Sequence, residues 1–591
     1  MMRQHARTLV CGMLVLLTVL SGCKASSPAA TPSLVFPSLP PTVHVAAAQG
    51  TVYYVRTNGG DASQCTGLAD AAYPGSGTGQ PCAWDHPFRA LPPGGSPRIS
   101  NGDTLIIGPG EYRMGYDAPG ADACEADSAY DCHMPPIPSG PNPANPTRIL
   151  GAGWDAGCTS PPQLWGAERP WFILNLTDSD NIEIACFEIT DHAACVESHS
   201  GDLACQRDTY PFGEYADLGL YAEDSTNVTL RHLNIHGLAV GGVRAGRLTD
   251  WTLEDVRIAG NGWVGWDGDI DGDDANSGTL TFRRWTVEWN GCGETYPGGE
   301  PTGCWGQSAG GYGDGVGTGE TGGHWVIEDS AFLHNTSDGL DLLYTRQEGS
   351  SVEIRRTIAE GNAGDQIKTS GPTVIENVIA VSNCGFFEGK PFAYRGDFDS
   401  DGDEESSVDN CRAGGSAIAL TLRDGNAASV INSTVTGQGD CLLITECQEG
   451  YSCGGSESVL LRNDIFQGNP EFGGGDTTCF AWHGTAQDPF AVDHAIINGT
   501  KATPDPCPPD SFCGVSPDLV NADISSFDAH LLPGSPAIDA GDNTACPGLD
   551  YFGNPRPTDG DGDENAICDI GAHERWEPTA WLYLPLILRN T

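Results

Sequence analysis

The sequence has few basic residues, with 29 Lys and Arg against 79 Asp and Glu. The resulting formal charge of −50 excludes a nucleic-acid-binding protein, because a phosphate backbone requires a basic surface. It also argues against a polyanionic ligand, unless a cation lies between that ligand and the protein. The alternative explanation of such an acidic surface is that it keeps an exported protein soluble and binds calcium.

The sequence also lacks a CxxC pair and any cluster of Cys with His, so no zinc site is predicted. Of its 22 Cys, Cys11 and Cys23 belong to an N-terminal leader, and the remaining 20 form an even set. In an oxidising compartment this set predicts up to ten disulfides, although spacing alone does not fix the pairing. The near neighbours expected as local pairs are Cys65/Cys82, Cys124/Cys132, Cys195/Cys205, Cys292/Cys304, Cys441/Cys447 and Cys507/Cys513.

No hydrophobic run in the chain is long enough to span a membrane, and no long amphipathic helix follows the leader. The apolar residues 9–20 follow Arg3 and Arg7, an order typical of a secretory signal. The run ends in Leu20-Ser21-Gly22-Cys23, which resembles the bacterial lipobox, and this resemblance implies that Cys23 is lipidated. We therefore expect an extracellular, cell-surface lipoprotein that contacts the membrane through its lipid anchor only. An ordinary cleaved signal with a chance Cys is the alternative.

Short β-branched runs recur between residues 225 and 470, and each ends near an Asn or a Gly. The successive Asn are separated by 29, 45, 27 and 21 residues, and they are Asn261, Asn290, Asn335, Asn362 and Asn383. Repeats that share a constant minimum length and differ in the number of extra residues are typical of a solenoid with loop insertions. With 79 Gly and 41 Pro for its turns, the chain is predicted to be all-β, a right-handed parallel β-helix with long loop insertions. A propeller would need a stricter period, and a sandwich would need hairpin turns.

The Asn residues are predicted to stack as a hydrogen-bonded ladder at one turn of the solenoid, where Asn tolerates left-handed backbone. The register of this ladder then fixes which residues of neighbouring coils lie side by side.

Both flanks of the repeats resemble known segments. Residues 53–61, 86–89 and 102–112 resemble the N-terminal cap of extracellular β-helix proteins of the pectate-lyase superfamily, and residues 532–542 with 569–574 resemble the choice-of-anchor Q segment. These resemblances speak to architecture rather than chemistry. The expected organisation is a lipoprotein signal at 1–23, a Ser-, Ala- and Pro-rich tether at 24–50, a cap with the first coils at 51–150, the parallel β-helix at 151–500, a choice-of-anchor Q-like segment at 501–577, and a tail at 578–591 that is a sorting tail or a terminal strand.

When neighbouring coils are aligned on their Asn residues, several acidic residues take equivalent positions on those coils. Asp338 lies over Asp365, and Asp341 over Lys368, because both pairs differ by the same 27 residues. Asp314 begins a similar Asp-Gly-apolar segment 24 residues before Asp338. Since parallel coils lie about 4.8 Å apart, the alignment predicts one column of Asp and a second column that holds Asp341 and Lys368.

The phase of the strands determines which side chains reach the surface. Leu340 and Ile367 are the apolar members of the alternation and should point inward, so Asp341 and Lys368 beside them should point outward. Asp338 would face inward in a strict strand and reaches the surface only if the turn extends that far. Carboxylates at this spacing repel one another unless a hard cation such as Ca²⁺, a lysine or protonation separates them. The alternative is that Asp and Gly simply occupy turns.

The segments Asp314-Gly315, Ser337–Asp341 and Gly361–Lys368 resemble the active-site motifs of polysaccharide lyase family nine. The resemblance implies a calcium ion held by Asp314, Asp338 and Asp341, with Lys368 as the base of β-elimination on a uronic-acid polymer such as pectate. Two positions depart from the family's pattern. Ser337 stands where the family usually has another Asp, and Asp365 is an extra carboxylate close to the base.

A non-catalytic surface β-helix for glycan binding or adhesion is the second hypothesis, and a monomer is expected in either case. The partner is then a uronan substrate or a surface glycan. A polygalacturonase-type hydrolase is disfavoured, because the sequence has no Gly-His-Gly and no adjacent Asp pair in register. Three further Asp-rich stretches are either structural calcium sites or solvated turns, and they lie at 267–274, 397–403 and 559–563.

Overall fold

The computed structural model describes residues 50–576, except for residues 198, 200–202, 207–208, 271–274, 307–311, 397–404, 407 and 409. The signal peptide, Cys23, the tether up to residue 49 and the tail lie outside the described residues. So do the second half of the Asp-rich stretch at 267–274 and the whole stretch at 397–403. Within the described part, no helix is both long enough and apolar enough to cross a membrane. The helices there are short 3-10 turns at Pro87–Arg89, Ala126–Asp131, Arg412–Gly414 and Asn543–Ala545.

The chain forms a right-handed parallel β-helix, as predicted. In the two large sheets, each strand pairs in parallel with strands of the neighbouring coils, so the coils stack along one axis. One side of the helix, called here the first face, is a ten-stranded sheet. Its strands are Phe172–Asn175 (β1), Leu218–Glu223 (β2), Gly241–Gly246 (β3), Val264–Gly268 (β4), Val316–Thr318 (β5), Leu340–Leu342 (β6), Ile367–Ser370 (β7), Ile418–Leu422 (β8), Cys441–Cys447 (β9) and Cys479–His483 (β10).

The second and third faces are continuous in the early coils, because long strands bend at one residue with positive φ, such as Asp255 at 55°. In later coils this bend separates two strands. The strands of this sheet are Val52–Gly60, Thr104–Ile107, Glu111–Gly115, Thr147–Gly151, Gln163–Ala167, Ile182–Asp191, Val228–His236, Thr252–Ala259, Thr279–Glu288, His324–Glu328, Ala331–Leu333, Ser351–Arg355, Ile358–Glu360, Thr373–Glu376, Ile379–Ser382, Ala427–Ile431, Thr434–Gly437, Ser458–Arg462, Ile465–Gly468, Phe490–Asp493, Ile496–Asn498 and Phe512–Cys513. Antiparallel pairs join Gly293–Thr295 to Glu300–Thr302, Arg395–Gly396 to Glu405–Ser406, and Leu519–Asn521 to Asp528–Leu531.

The core lies inside the coils and is filled by the inward residues of all three faces. Its largest side chains include Trp266, Trp285 and Trp325, each fully buried. Phe282 stacks between two of them, with ring centroids 4.5 Å from Trp285 and 5.4 Å from Trp325. Apolar burial on this scale is the main source of stability for a solenoid.

The Asn ladder is confirmed for four of its five members. Asn261, Asn290 and Asn335 each donate from Nδ2 to Oδ1 of the next Asn in the ladder, at 2.9, 2.9 and 2.8 Å. Asn383 does not continue the ladder, because the Gln366 side chain takes that place and accepts the Nδ2 of Asn362 at 2.9 Å. The expected left-handed backbone at the Asn is also wrong. It belongs to the preceding residues, Gly260, Trp289, His334 and Gly361.

All 20 Cys that follow the leader form disulfides, which confirms the predicted ten. Five of the six expected local pairs are present, but Cys441/Cys447 is wrong. These two Cys stand at opposite ends of the extended strand β9 and therefore cannot meet. Cys441 instead bonds to Cys479, its partner in register on the next coil, and Cys447 bonds to Cys453.

Three long insertions leave the helix at the same turn, between the third face and the first face. They occupy residues 192–217, 289–315 and 383–417, before β2, β5 and β8. Each insertion contains one disulfide, and these are Cys195–Cys205, Cys292–Cys304 and Cys384–Cys411. The second and third insertions also contact each other, since the Cys304 N–H donates to the Phe392 carbonyl at 2.7 Å. They therefore stand beside one long edge of the first face.

The C-terminal segment, residues 517–576, packs on the outside of the third face. Leu531 and Ile570 share a buried cluster with Ile465 and Ile496. Polar contacts fix the docking, because the Asn432 Nδ2 donates to the Asp569 carbonyl at 2.9 Å. The segment thus covers apolar side chains of the late coils that would otherwise be exposed.

Candidate functional site

The acidic residues predicted from the sequence to form a site lie at the turn that connects the third face to the first face. Asp314, Asp338 and Asp365 stand in the turns before β5, β6 and β7, while Asp341 and Lys368 lie within β6 and β7. Asp341 pairs with Lys368 in register, which confirms the alignment by 27 residues. The five side chains therefore meet on three consecutive coils.

The turn aspartates form a stack held by the backbone. The Asp314 Oδ1 accepts the Asp338 N–H at 2.9 Å, and the Asp338 Oδ1 accepts the Asp365 N–H at 2.7 Å. The Asp365 Oδ1 continues the stack by accepting the Ser416 N–H at 2.8 Å. Each carboxylate thus fixes one oxygen on the next coil and keeps the other oxygen available. The turn extends as far as Asp338, so its side chain is not directed into the core.

The glycines after Asp314 and Asp338 are required by the Asn ladder beneath them. A Cβ on Gly315 would lie 2.7 Å from the Asn335 Nδ2, and one on Gly339 would lie 2.5 Å from the Asn362 Nδ2. Real Cβ atoms do not approach that closely, so only Gly leaves room for the ladder. The Asp-Gly pairs therefore have a structural reason that is independent of any chemistry at the Asp.

Lys368 lies among three of the carboxylates. Its Nζ is 3.0 Å from the Asp338 Oδ2, 3.3 Å from the Asp341 Oδ2 and 3.9 Å from the Asp365 Oδ2. The ion pair of Lys368 with Asp341 is largely shielded from water, because the lysine side chain is 19% exposed and that of Asp341 only 14%. Burial alone would lower the pKa of the Lys368 ammonium, but the three carboxylates raise it well above its ordinary value.

The carboxyl groups are shifted in the opposite sense, toward the neutral form. Burial raises the pKa of Asp314 to about 8, and the charges of Asp338 and Asp341 add to the shift. Burial also raises the pKa of Asp341 to about 6, although Lys368 acts against it. Burial, followed by the charge of Asp338, raises the pKa of Asp365 well above its usual range. One lysine is therefore not enough to neutralise the cluster.

Three of these carboxylates have the spacing of a cation site. Asp314, Asp338 and Asp341 can each offer an oxygen, with all three oxygens within 4.8 Å of one another. Ligands of one Ca²⁺ lie at 2.3–2.6 Å from it, so two of them are at most about 5 Å apart. A Cβ on Gly317, the register partner of Asp341, would come 3.0 Å from the Asp314 Oδ2, so this glycine leaves the space beside the oxygens open. Carboxylate oxygens in this arrangement suit a hard cation.

The two additional candidates lie beside this group. Asp365 contacts Lys368 but is not among the three carboxylates whose oxygens converge. Ser337 accepts a hydrogen bond from the Arg412 Nη1 at 3.0 Å. Sequence reasoning missed Arg412, which lies 75 residues away on the third insertion, and no spacing pattern could have connected the two. It brings a second cation to the edge of the site.

A second group of converging carboxylates lies in the C-terminal segment and consists of Asp539, Asp559 and Asp561. Two of its members bind the backbone of the loop at 559–563, since Asp559 accepts the Gly562 N–H at 2.7 Å and Asp539, 21 residues before Gly560, accepts the Gly560 N–H at 3.1 Å. The contact of Asp559 is that of a tight Asp-rich turn, and the contact of Asp539 holds this turn against a neighbouring segment.

No protein-family model matches the sequence, and no curated protein is significantly similar to it. Among solved structures, the chain is similar to pectate lyase Pel9A, with a TM-score of 0.40 and 13% identity over 90% of this chain and 98% of that one. It is also similar to the A-module of the Azotobacter vinelandii mannuronan C-5 epimerase AlgE4, with a TM-score of 0.32 and 11% identity over 66% and 88% of the two chains. A third similar structure is the alginate lyase from Paenibacillus sp. str. FPU-7, with a TM-score of 0.31 and 13% identity over 65% of this chain and 92% of that one.

Proposed function

We propose that this protein is an extracellular, calcium-dependent polysaccharide lyase that cleaves a uronic-acid polymer by β-elimination. The observation that carries the proposal is the convergence of one lysine with carboxylates on neighbouring coils, with Lys368 Nζ 3.0 Å and 3.3 Å from two residues of the cation group. An extracellular location fits the ten disulfides.

Elimination begins with removal of the C5 proton of the uronic acid, which is weakly acidic because a carboxylate is attached to that carbon. Lys368 would accept this proton at Nζ, for which its amine must be neutral. The C4–O bond of the glycosidic linkage then breaks as the C4=C5 double bond forms, and the departing oxygen takes a proton from water. Asp314, Asp338 and Asp341 would hold the calcium ion. When bound, calcium supplies charge withdrawal from the substrate carboxylate and stabilises the enolate-like intermediate.

The geometry also explains why the base would depend on the cation. Asp338 and Asp341 contact the Lys368 ammonium, and the same two residues belong to the cation group. While they bind the ammonium, they hold Lys368 in its protonated form. Once their charge is committed to a metal ion, the burial of Lys368 lowers its pKa and favours the neutral amine.

The test is release of unsaturated sugar ends, followed by ultraviolet absorbance, from a panel of uronans with and without calcium. Lys368→Ala should lower the rate about 10²–10⁴-fold, and Lys368→Arg should also be poor because a guanidinium stays protonated. The matched control is Lys390→Ala, since the Lys390 ammonium lies over the Phe386 ring at 4.6 Å and should not affect the rate. Full activity of Lys368→Ala would place the base elsewhere.

A non-catalytic glycan-binding protein is the second candidate. It is favoured by two exposed tryptophans near opposite ends of the first face, Trp171 at 54% and Trp482 at 48% exposure. Exposed aromatic side chains commonly mark binding surfaces. This candidate predicts that polysaccharides bind to the protein but that no uronan releases an unsaturated product.

A further inference from the structure

The outer surface of the first face carries a straight column of side chains, one from each coil. Asp341 and Lys368 belong to it, and beyond Lys368 the register continues through Ala419, Ile444 and Trp482. Parallel coils lie about 4.8 Å apart, so Trp482 stands roughly 14 Å from the position of Lys368 along the helix axis. This distance is long enough for several sugar units of a bound chain.

The two directions along the column differ in charge. On the N-terminal side the register partners include Arg244 and Asp267, which form an ion pair at 3.4 Å. On the C-terminal side the column is apolar for three coils. The strands β8, β9 and β10 contain no Lys and no Arg, and their acidic residue is Glu446, which is exposed. A carboxylate on a sugar bound there would meet no cation on these strands.

Trp482 is the only member of this apolar column that projects far into solvent, with 48% of its surface exposed. Its ring lies across Gly484, where a Cβ would come within 2.9 Å of the Cη2. Other tryptophans of the helix, such as Trp266 and Trp285, are buried in the core instead. A broad aromatic face held on a rigid strand suits the apolar face of a pyranose ring.

We propose that the first face beyond Lys368 binds uncharged sugar residues, with Trp482 as the stacking platform. The substrate would then be a polymer in which a uronic acid at the Lys368 site is followed by neutral or esterified units, and not a homouronan. This inference rests on the proposed function for the position of the uronic acid. Its physical reason is that an unpaired carboxylate is unfavourable against strands that contain no Lys and no Arg, in a protein with net charge −50.

The experiment measures binding by calorimetry with Lys368→Ala protein, so that no polymer is cleaved. The probes are polygalacturonate, the same polymer half methyl-esterified, and an alternating galacturonate–rhamnose polymer, all at one ionic strength with calcium. Tighter binding of the esterified or the alternating polymer supports the inference, and the two arms show which uncharged unit is preferred. Trp482→Ala should weaken binding of the preferred polymer about three- to tenfold.

The control variant is Trp576→Ala, which removes another exposed tryptophan, 65% exposed, that lies on the C-terminal segment. It should leave binding unchanged. Equal binding of all three polymers, no binding of any, or an unaffected Trp482→Ala would overturn the inference. So would a change in the oligomeric state of Trp482→Ala, which would make the surface a contact between copies. If wild-type protein releases no unsaturated ends yet Trp482→Ala loses affinity, the lyase proposal fails and the binding surface stands.

Discussion

At the residue scale, Asp338 has two roles on its two oxygens. Its Oδ1 accepts the Asp365 N–H and so connects consecutive coils, whereas its Oδ2 contacts the Lys368 ammonium. An amide at this position keeps an acceptor for the backbone but loses the charge. The structural and the chemical contributions of Asp338 can therefore be separated by one substitution.

Asp338→Asn should weaken calcium binding while preserving the fold, because the hydrogen bond to the next coil remains. We expect elimination to need more calcium, and excess calcium to restore part of the rate. Calorimetry gives the calcium affinity and circular dichroism checks the fold. The control is Asp476→Asn, since Asp476 is an exposed partner of Lys501 outside the site. An unchanged calcium affinity in Asp338→Asn would remove this residue from the proposed ligands.

Lys368→Met should bind calcium more tightly than the wild type, about tenfold or more, because the ammonium that competes for Asp338 and Asp341 is gone. Isothermal calorimetry measures the two affinities directly. Lys501→Met is the matched control, since Lys501 pairs with Asp476 at the surface and its loss should not change calcium binding. Weaker calcium binding in Lys368→Met would contradict the shared use of the two carboxylates.

At the scale of the elements, the turn before the first face is defined by its two ladders. The Asn ladder runs beneath the glycines, and the Asp stack runs beside it on the outer side. Gln366 ends the Asn ladder at the coil that carries Lys368, because it stands where earlier coils have Gly339 and Gly315. The coil with the proposed base thus has a different turn from the coils with the proposed cation ligands.

Gln366→Ala should destabilise the protein by about 1–3 kcal/mol, because it leaves the buried N–H and Nδ2 of Asn362 without their acceptor. Urea denaturation measures the change in the free energy of unfolding. The exposed Gln487 provides the control, and Gln487→Ala should change stability by less than about 0.5 kcal/mol. Equal stabilities of the two variants would show that Asn362 finds another acceptor.

At the scale of the whole molecule, the carboxylate site sets a dependence of stability on pH. The pKa of about 8 for Asp314 and about 6 for Asp341 exceed the ordinary value of 3.8. The folded state therefore binds protons more tightly than the unfolded chain. Proton binding by these two groups therefore contributes its full free energy of folding below about pH 4. This contribution is lost as the pH rises through 6 and 8.

We expect the calcium-free protein to melt at a lower temperature at pH 8 than at pH 5, and calcium to raise the melting temperature more at pH 8. Differential scanning calorimetry measures both effects. The double variant Asp314→Asn/Asp341→Asn removes two proposed calcium ligands with raised pKa values and leaves Asp365 in place, so the part of the pH dependence that calcium corrects should disappear. If the double variant responds to pH and calcium as the wild type does, the effect arises from other carboxylates of this acidic chain.

The sequence alone determined the β-helix, the ten disulfides, the column of Asp, and the register of Asp341 with Lys368. These features follow from local periodicity, because a solenoid repeats the same backbone path and spacing therefore fixes which residues stack. The tertiary structure decided the pairing of Cys441, the end of the ladder at Gln366, and the partial burial of Lys368. It also brought Arg412 to Ser337 across 75 residues. Such contacts depend on how the insertions fold back onto the coils and on how much water they exclude. The spacing of residues along the sequence determines neither the path of an insertion nor the burial of a side chain.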